Sequence, residues 1–132
     1  TAFAAARRTT AEVEEFKQLC AYIDGVAAKA GKPGDRDPTY RRLNLLFHAF
    51  IHRLARSPVT TAIAATMWDR SDFYIKLAFG SLYFSRPVRA AHEAIRAALI
   101  AGDAQAAQAA VAAHLNAVGD GVAAAMEKLA EG

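Results

Sequence analysis

Four histidines, His48, His52, His92 and His114, have the widest chemical latitude in this chain, since a neutral imidazole nitrogen can ligate a metal, take a proton or line a polar cavity. His92 and His114 each stand 11 residues from Asp103, one before it and one after. Gly102 followed by Asp103 reads as a helix stop and a helix start with almost nothing between them. Two helices folded back through so tight a turn bring equidistant residues to the same height, here ~15 Å from the turn at 1.5 Å per residue. His92 borders the face of Val88, Ala91, Ile95 and Leu99, and His114 lies among Ala107, Ala110, Val111 and Val118. The two imidazoles are therefore expected to face each other on the inside of a hairpin.

Asn44 and His48 lie one helical turn apart on the rim of a buried face made by Leu43, Leu46, Phe47, Phe50, Ile51 and Leu54. If their helix packs against the hairpin, three imidazoles and one carboxamide converge, a donor set that suits Zn²⁺, Ni²⁺, Co²⁺ or Mn²⁺ with positions left for water or a ligand. His52 falls ~40° further round the helix, towards Arg42, Arg53 and Arg56, and is read as more exposed and without a ligand role. An inward histidine is also an ordinary core or cavity group. The matched pair about one turn is what sets these apart, because independent core histidines have no reason to be symmetric.

The elements that must position these groups are helices. Alanine makes up about a quarter of the 132 residues, prolines number four, and no alternating strand pattern occurs. Ala2 to Arg8 reads as the tail of a helix whose beginning is absent. Thr9 with Glu12 forms a capping box, opening a helix with Val13, Phe16, Leu19, Cys20, Ile23 and Val26 on one stripe and Gly31, Pro33 and Gly34 at its end. A helix from Pro38 to about Arg56 follows, then Ser57-Pro58 as cap and first turn of a third, which reaches Phe79. A loop is expected over 80–84, a fourth helix from Ser85-Pro87 to Ile100, and a last from Ala104 to about Ala130 with a break at Gly119 and Gly121. The whole is expected to be one domain, residues 1–132, of all-α antiparallel bundle type.

Composition narrows the function. With 54% hydrophobic residues and a net charge of +3 the chain is not disordered, and one cysteine, Cys20, cannot form an internal disulfide, so a reducing compartment is expected. No run of ~18 apolar residues lacks a charge or a turn residue, so no membrane span is expected. Residues 1–102 carry 15 basic against 9 acidic side chains, a balance of +6, and the remainder carries 1 against 4, a balance of −3. The nearest basic cluster, Arg36, Arg41, Arg42, Arg53 and Arg56, is diluted by Asp35 and Asp37, and reads as solvated helix surface rather than a nucleic-acid face. Arg41, Arg89 and Arg96 lie within ~60° of Asn44 or His92 around their helices and are candidates for holding a carboxylate.

The string Tyr40-Arg41-Arg42-Leu43-Asn44-Leu45-Leu46-Phe47-His48, the Ser57-Pro58 turn, Met67-Trp68-Asp69-Arg70, Ala91-His92-Glu93-Ala94-Ile95, Ala101-Gly102-Asp103 and Ala113-His114-Leu115 follow one another in an order and spacing that resembles a known family. It is the FCD domain, the ligand-binding C-terminal domain of FadR-type GntR-family bacterial transcription regulators. The resemblance covers residues from about Ala5 to Val118. It implies a cytoplasmic helical bundle that senses a small organic acid, often through a divalent metal such as Zn, Ni or Mn, dimerises, and signals to an N-terminal winged helix-turn-helix. On this resemblance the metal ligands are Asn44, His48, His92 and His114, and Arg70 matches a position that faces the effector cavity. Asn44 stands where many members carry aspartate, so the site keeps the full 2+ charge of the ion, which favours an anionic effector. The family's first sensor helix and its DNA-binding domain are expected to be absent, so DNA would be met only through a domain outside this chain.

Two other readings remain beside the metal-containing sensor. A metal-free sensor with an organic cavity fits the neutral Asn44. A metalloenzyme would use the same three histidines, but no His-Glu-x-x-His and no Glu-x-x-His pair occurs, and Glu93 points ~100° away from His92, so the expectation is a regulator and not an enzyme.

Overall fold

Amphipathic, alanine-rich segments separated by single caps and tight turns build a bundle of helices that share one apolar interior. The computed structural model describes residues 1–29, 38–82 and 86–131, without the side chains of 38–41, 72, 73, 75–82 and 86–89. In chain order the helices are α1 (Ala2–Arg7), α2 (Thr10–Lys29), α3 (Pro38–Ala55), α4 (Pro58–Leu82), α5 (Arg86–Ala101) and α6 (Ala104–Ala130), and no strand occurs among the described residues. α5 and α6 form the closest pair. α6 also packs on α4 and α1, and α3 contacts α1, α2 and α4.

The capping box forms as the sequence predicts. The Thr9 amide donates to Glu12 Oε2 at 2.8 Å, and the Glu12 amide donates to Thr9 Oγ1 at 3.2 Å. Arg56 adds to it, donating to both Glu12 oxygens at 2.7 and 2.9 Å and to the Arg7 carbonyl at 2.6 Å. Arg56 ends α3 with φ 48°, the left-handed conformation that a helix terminus more often gives to glycine. Arg7 donates to the Ala55 carbonyl at 2.8 Å, and Arg8 donates to the Ile100 carbonyl at 3.0 Å. Three arginines thus satisfy carbonyls at helix ends and pin α1 to α3 and α5. Ala4 and Ala5 are fully buried, and their small side chains let α1 come close.

The core centres on Phe16 of α2, Ile51 and Leu54 of α3, and Ile95 and Leu99 of α5, all fully buried. Phe16 lies 5.6 Å from Phe47 and 5.5 Å from Phe50 between ring centroids. The Gly102 turn closes α5 with the amides of Gly102 and Asp103 both donating to the Ala98 carbonyl at 2.9 and 3.0 Å. Asp103 then caps α6, its side chain accepting from the Ala106 amide at 2.9 Å.

Three expectations change. α4 runs through Gly80 to Leu82, so the loop is shorter than 80–84, and the rest of that loop, with the Ser85 cap, lies outside the described residues. The Gly31, Pro33 and Gly34 stop also lies outside them. α6 continues unbroken through Gly119 and Gly121; neither has a positive φ, and a glycine inside a helix weakens it without interrupting its hydrogen bonds. α6 is also long and apolar enough, by length and composition, to cross a membrane. Its hydropathy is largely alanine, and Ala107, Ala110 and His114 of its inner face pack into the bundle. Of the basic cluster, Arg53 pairs with Glu15 at 2.6 Å and Arg56 with Glu12 at 2.7 Å, while Arg36 and the Arg41 side chain lie outside the described residues.

Gly102 takes φ 78°, and an added Cβ would meet the Arg8 guanidinium. Gly102→Ala is therefore expected to lower stability by ~1–2 kcal/mol in urea unfolding, the cost of a left-handed L-residue; an unchanged midpoint would show that the turn relaxes freely. The Glu12 carboxyl is held below its usual range first by the Thr9 amide and then by Arg56. A depressed folded pKa gives stability that is present above the ordinary value of 4.5 and fades as pH falls through the lower folded value. Glu12→Gln should flatten the pH dependence of stability in that acid window, and a titration of the two proteins side by side measures it.

Candidate metal centre

The hairpin turn decides the first contact. Counting outward from Gly102-Asp103, α5 brings His92 and α6 brings His114 to one level, and their ring centroids are 4.5 Å apart. α3 supplies His48, 5.2 Å from His114 and 5.5 Å from His92. One ligand atom from each of the three falls within 4.8 Å of the others. Asn44, one turn before His48, is buried at 6% exposure, beside His48 at 9% and His114 at 5%.

The electrostatics follow from burial. His48 is pushed well below its usual pKa by desolvation first, then by His92, His114 and His52. His92 is lowered to about 3 by desolvation, then by His114 and Arg96. His114 is lowered by desolvation. All three rings are therefore neutral at pH 7, the protonation state in which an imidazole lone pair is available to a cation. His48 Nε2, His92 Nε2 and His114 Nδ1 are buried and have no hydrogen-bond partner in the protein. Three orphaned nitrogens on rings whose centroids are 4.5–5.5 Å apart are unfavourable in an apolar interior unless something satisfies them. A divalent ion of the Zn²⁺ or Ni²⁺ kind fits this donor set.

The surroundings hold the rings in place. The Phe47 ring sits 5.2 Å from both His48 and His92. The Trp68 ring of α4 lies 5.5 Å from that of His48, tilted by 50°. A cavity of about 620 Å³ opens beside His48 and His114, bounded by α1, α3, α4 and α6, with Phe3, Ile51 and Trp68 in its wall. That volume lies within the range of small-molecule sites.

Of the four candidate arginines, the two with described side chains, Arg70 and Arg96, are not among the residues that line this cavity. Arg96 donates to Asp24 at 2.9 Å through each of its terminal nitrogens and to Glu93 at 3.0 Å, with its guanidinium 5.9 Å from the Phe47 ring centre. Its charge is engaged by α2, and its place is behind the site rather than in the cavity. Arg70 is exposed on α4. The side chains of Arg41 and Arg89 lie outside the described residues. His52, read from sequence as more exposed, is half-buried and lines the cavity. Its spacing four residues after His48 was the available signal, since i and i+4 share a helix face. Thr60, Thr61 and Ser71 also reach the wall, with no sequence signal to single them out.

The family model of the FCD domain matches residues 1–117. No curated protein and no solved structure matches the chain.

Burial of an unsatisfied imidazole is a cost to the metal-free protein. His114→Leu, a replacement of similar bulk without the polar atoms, is expected to raise metal-free stability by ~1–2 kcal/mol, the usual penalty of a buried polar group left unpaired. Unfolding in the presence of a chelator measures it, and a loss of stability would mean that His114 is satisfied.

Proposed function

Given that the chain belongs to the FCD domain family, whose members are ligand-sensing regulatory domains of GntR-family regulators and not enzymes, we propose that it senses a small organic acid through a divalent metal. The observation that carries this reading is the meeting of three neutral imidazoles, two of which, His48 and His114, line a cavity. His48, His92 and His114, with the Asn44 carboxamide oxygen, would hold the ion; when bound, it supplies a Lewis-acid anchor for a carboxylate. Asn44 brings no charge, so the anionic effector rather than the protein would offset the ion's charge.

The residues of the chain have separate tasks in this reading. The α5–α6 hairpin fixes the distance between His92 and His114, while α3 presents His48 from a different element. Phe47 and Trp68 exclude water from the imidazoles. An effector bound between α3, α4 and α6 would favour the helix arrangement that fits it, which is how occupancy could shift a population of conformations. In this reading residues 1–132 form one effector-binding domain, working as a homodimer in the bacterial cytoplasm and reaching DNA through a winged helix-turn-helix on another part of the protein. Size measurement in solution tests the dimer.

Elemental analysis of the purified protein is expected to find about one divalent metal per chain. His92→Ala and His114→Ala should each lose it with helical circular dichroism retained; unchanged metal content in both would overturn the assignment. Asn44→Asp should tighten metal binding by roughly tenfold or more at neutral pH, because a carboxylate adds a full opposite charge at the ion.

A further inference from the structure

We infer that the ligand of the cavity is a monocarboxylic acid with an apolar tail of medium length, its carboxylate at the histidine end and its tail along the groove between α3, α4 and α6. The inference deepens the sensor reading above and rests on its assignment of His48, His92 and His114 as the anchor.

The lining decides between ligand classes. Among the described residues the lining holds no Lys, Arg, Asp or Glu side chain; Thr1, whose amino group is the charged one there, and Phe3 line it from the start of α1, and Arg96 is held by Asp24 and Glu93. The polar side chains on the wall beyond His48 and His114 are His52 and the hydroxyls of threonine and serine. The Thr60 hydroxyl is already hydrogen-bonded to Ser57 at 2.8 Å. The histidine end is the locus assigned to the carboxylate, and a second carboxylate beside Met67, Val118 and Val122 would be desolvated by apolar side chains. A di- or tricarboxylate is selected against on this ground.

The rest of the wall is apolar and extended. Along α6 it runs from His114 to Val122 and along α3 from His48 to Ala55, about 10–12 Å in each case at 1.5 Å per residue. Ala64 and Met67 of α4 and Val118 of α6 face this length, and Trp68 stands where head and tail would join. An alkyl or aryl tail fills such a groove, whereas a short polyhydroxy acid leaves it in contact with water. Each methylene buried there should be worth roughly fourfold in affinity.

Zinc-loaded protein titrated with butanoate, hexanoate, octanoate and succinate tests the inference, read by calorimetry and by the fluorescence of Trp68, the single tryptophan of the chain. The expected result is a Kd that falls roughly fourfold per methylene from butanoate to octanoate, with succinate the weakest. Val118→Asp, which puts a charge in the tail wall, should weaken octanoate at least tenfold while zinc content stays the same. A flat series, or succinate tighter than octanoate with zinc retained, overturns the tail and leaves the anchor standing. Failure to bind zinc or any of the four acids overturns both readings together.

Discussion

The Gly102-Asp103 turn is the constraint on which the site depends. It combines a left-handed glycine that closes α5 with an aspartate that caps α6, so the two helices are joined with no slack. Because the connection is so short, the heights of all residues on both helices are set relative to one another, and the 4.5 Å meeting of His92 with His114 is a consequence of that register. A longer loop would let α6 slide along α5, and one residue of slip turns a helical side chain by ~100° out of the interior. Arg8 reinforces the joint by donating to the Ile100 carbonyl just before it.

Burial then gives the histidines their chemistry. The rings are neutral because the apolar packing of Phe47, Trp68 and the core beneath them disfavours any added charge, and neighbouring imidazoles disfavour it further. The same packing leaves their nitrogens without protein partners. A protein that only needed a stable core would do better with leucine at these positions. That cost is the physical ground for the metal site proposed above.

The arginines serve a different end from the one their number suggests. Eleven occur in the chain, and the described ones nearest the interior hold helix ends and ion pairs: Arg7, Arg8 and Arg56 join α1 to its neighbours, and Arg96 joins α5 to α2. Helix carbonyls left without partners at C-termini are strong acceptors, and a guanidinium can reach several of them at once. That use engages the charge of these four arginines away from the cavity, whose described lining is mostly apolar.

How much was legible in the sequence depended on the range of the interaction. The helices, the Thr9 capping box, the Ser57-Pro58 start and the facing of His92 and His114 are local, since each is fixed by residues within a few turns or by one short connection. The all-α bundle follows from the same periodicity. What the sequence could not determine was set between elements distant in the chain. The angle at which α3 enters brings His48 to the hairpin, turns His52 into the cavity and leaves Arg96 facing Asp24, 72 residues away. Helical angles say which residues share a face of one helix, but not which neighbour that face meets; side-chain packing between helices decides that, and with it whether a charge points at a ligand or at another side chain.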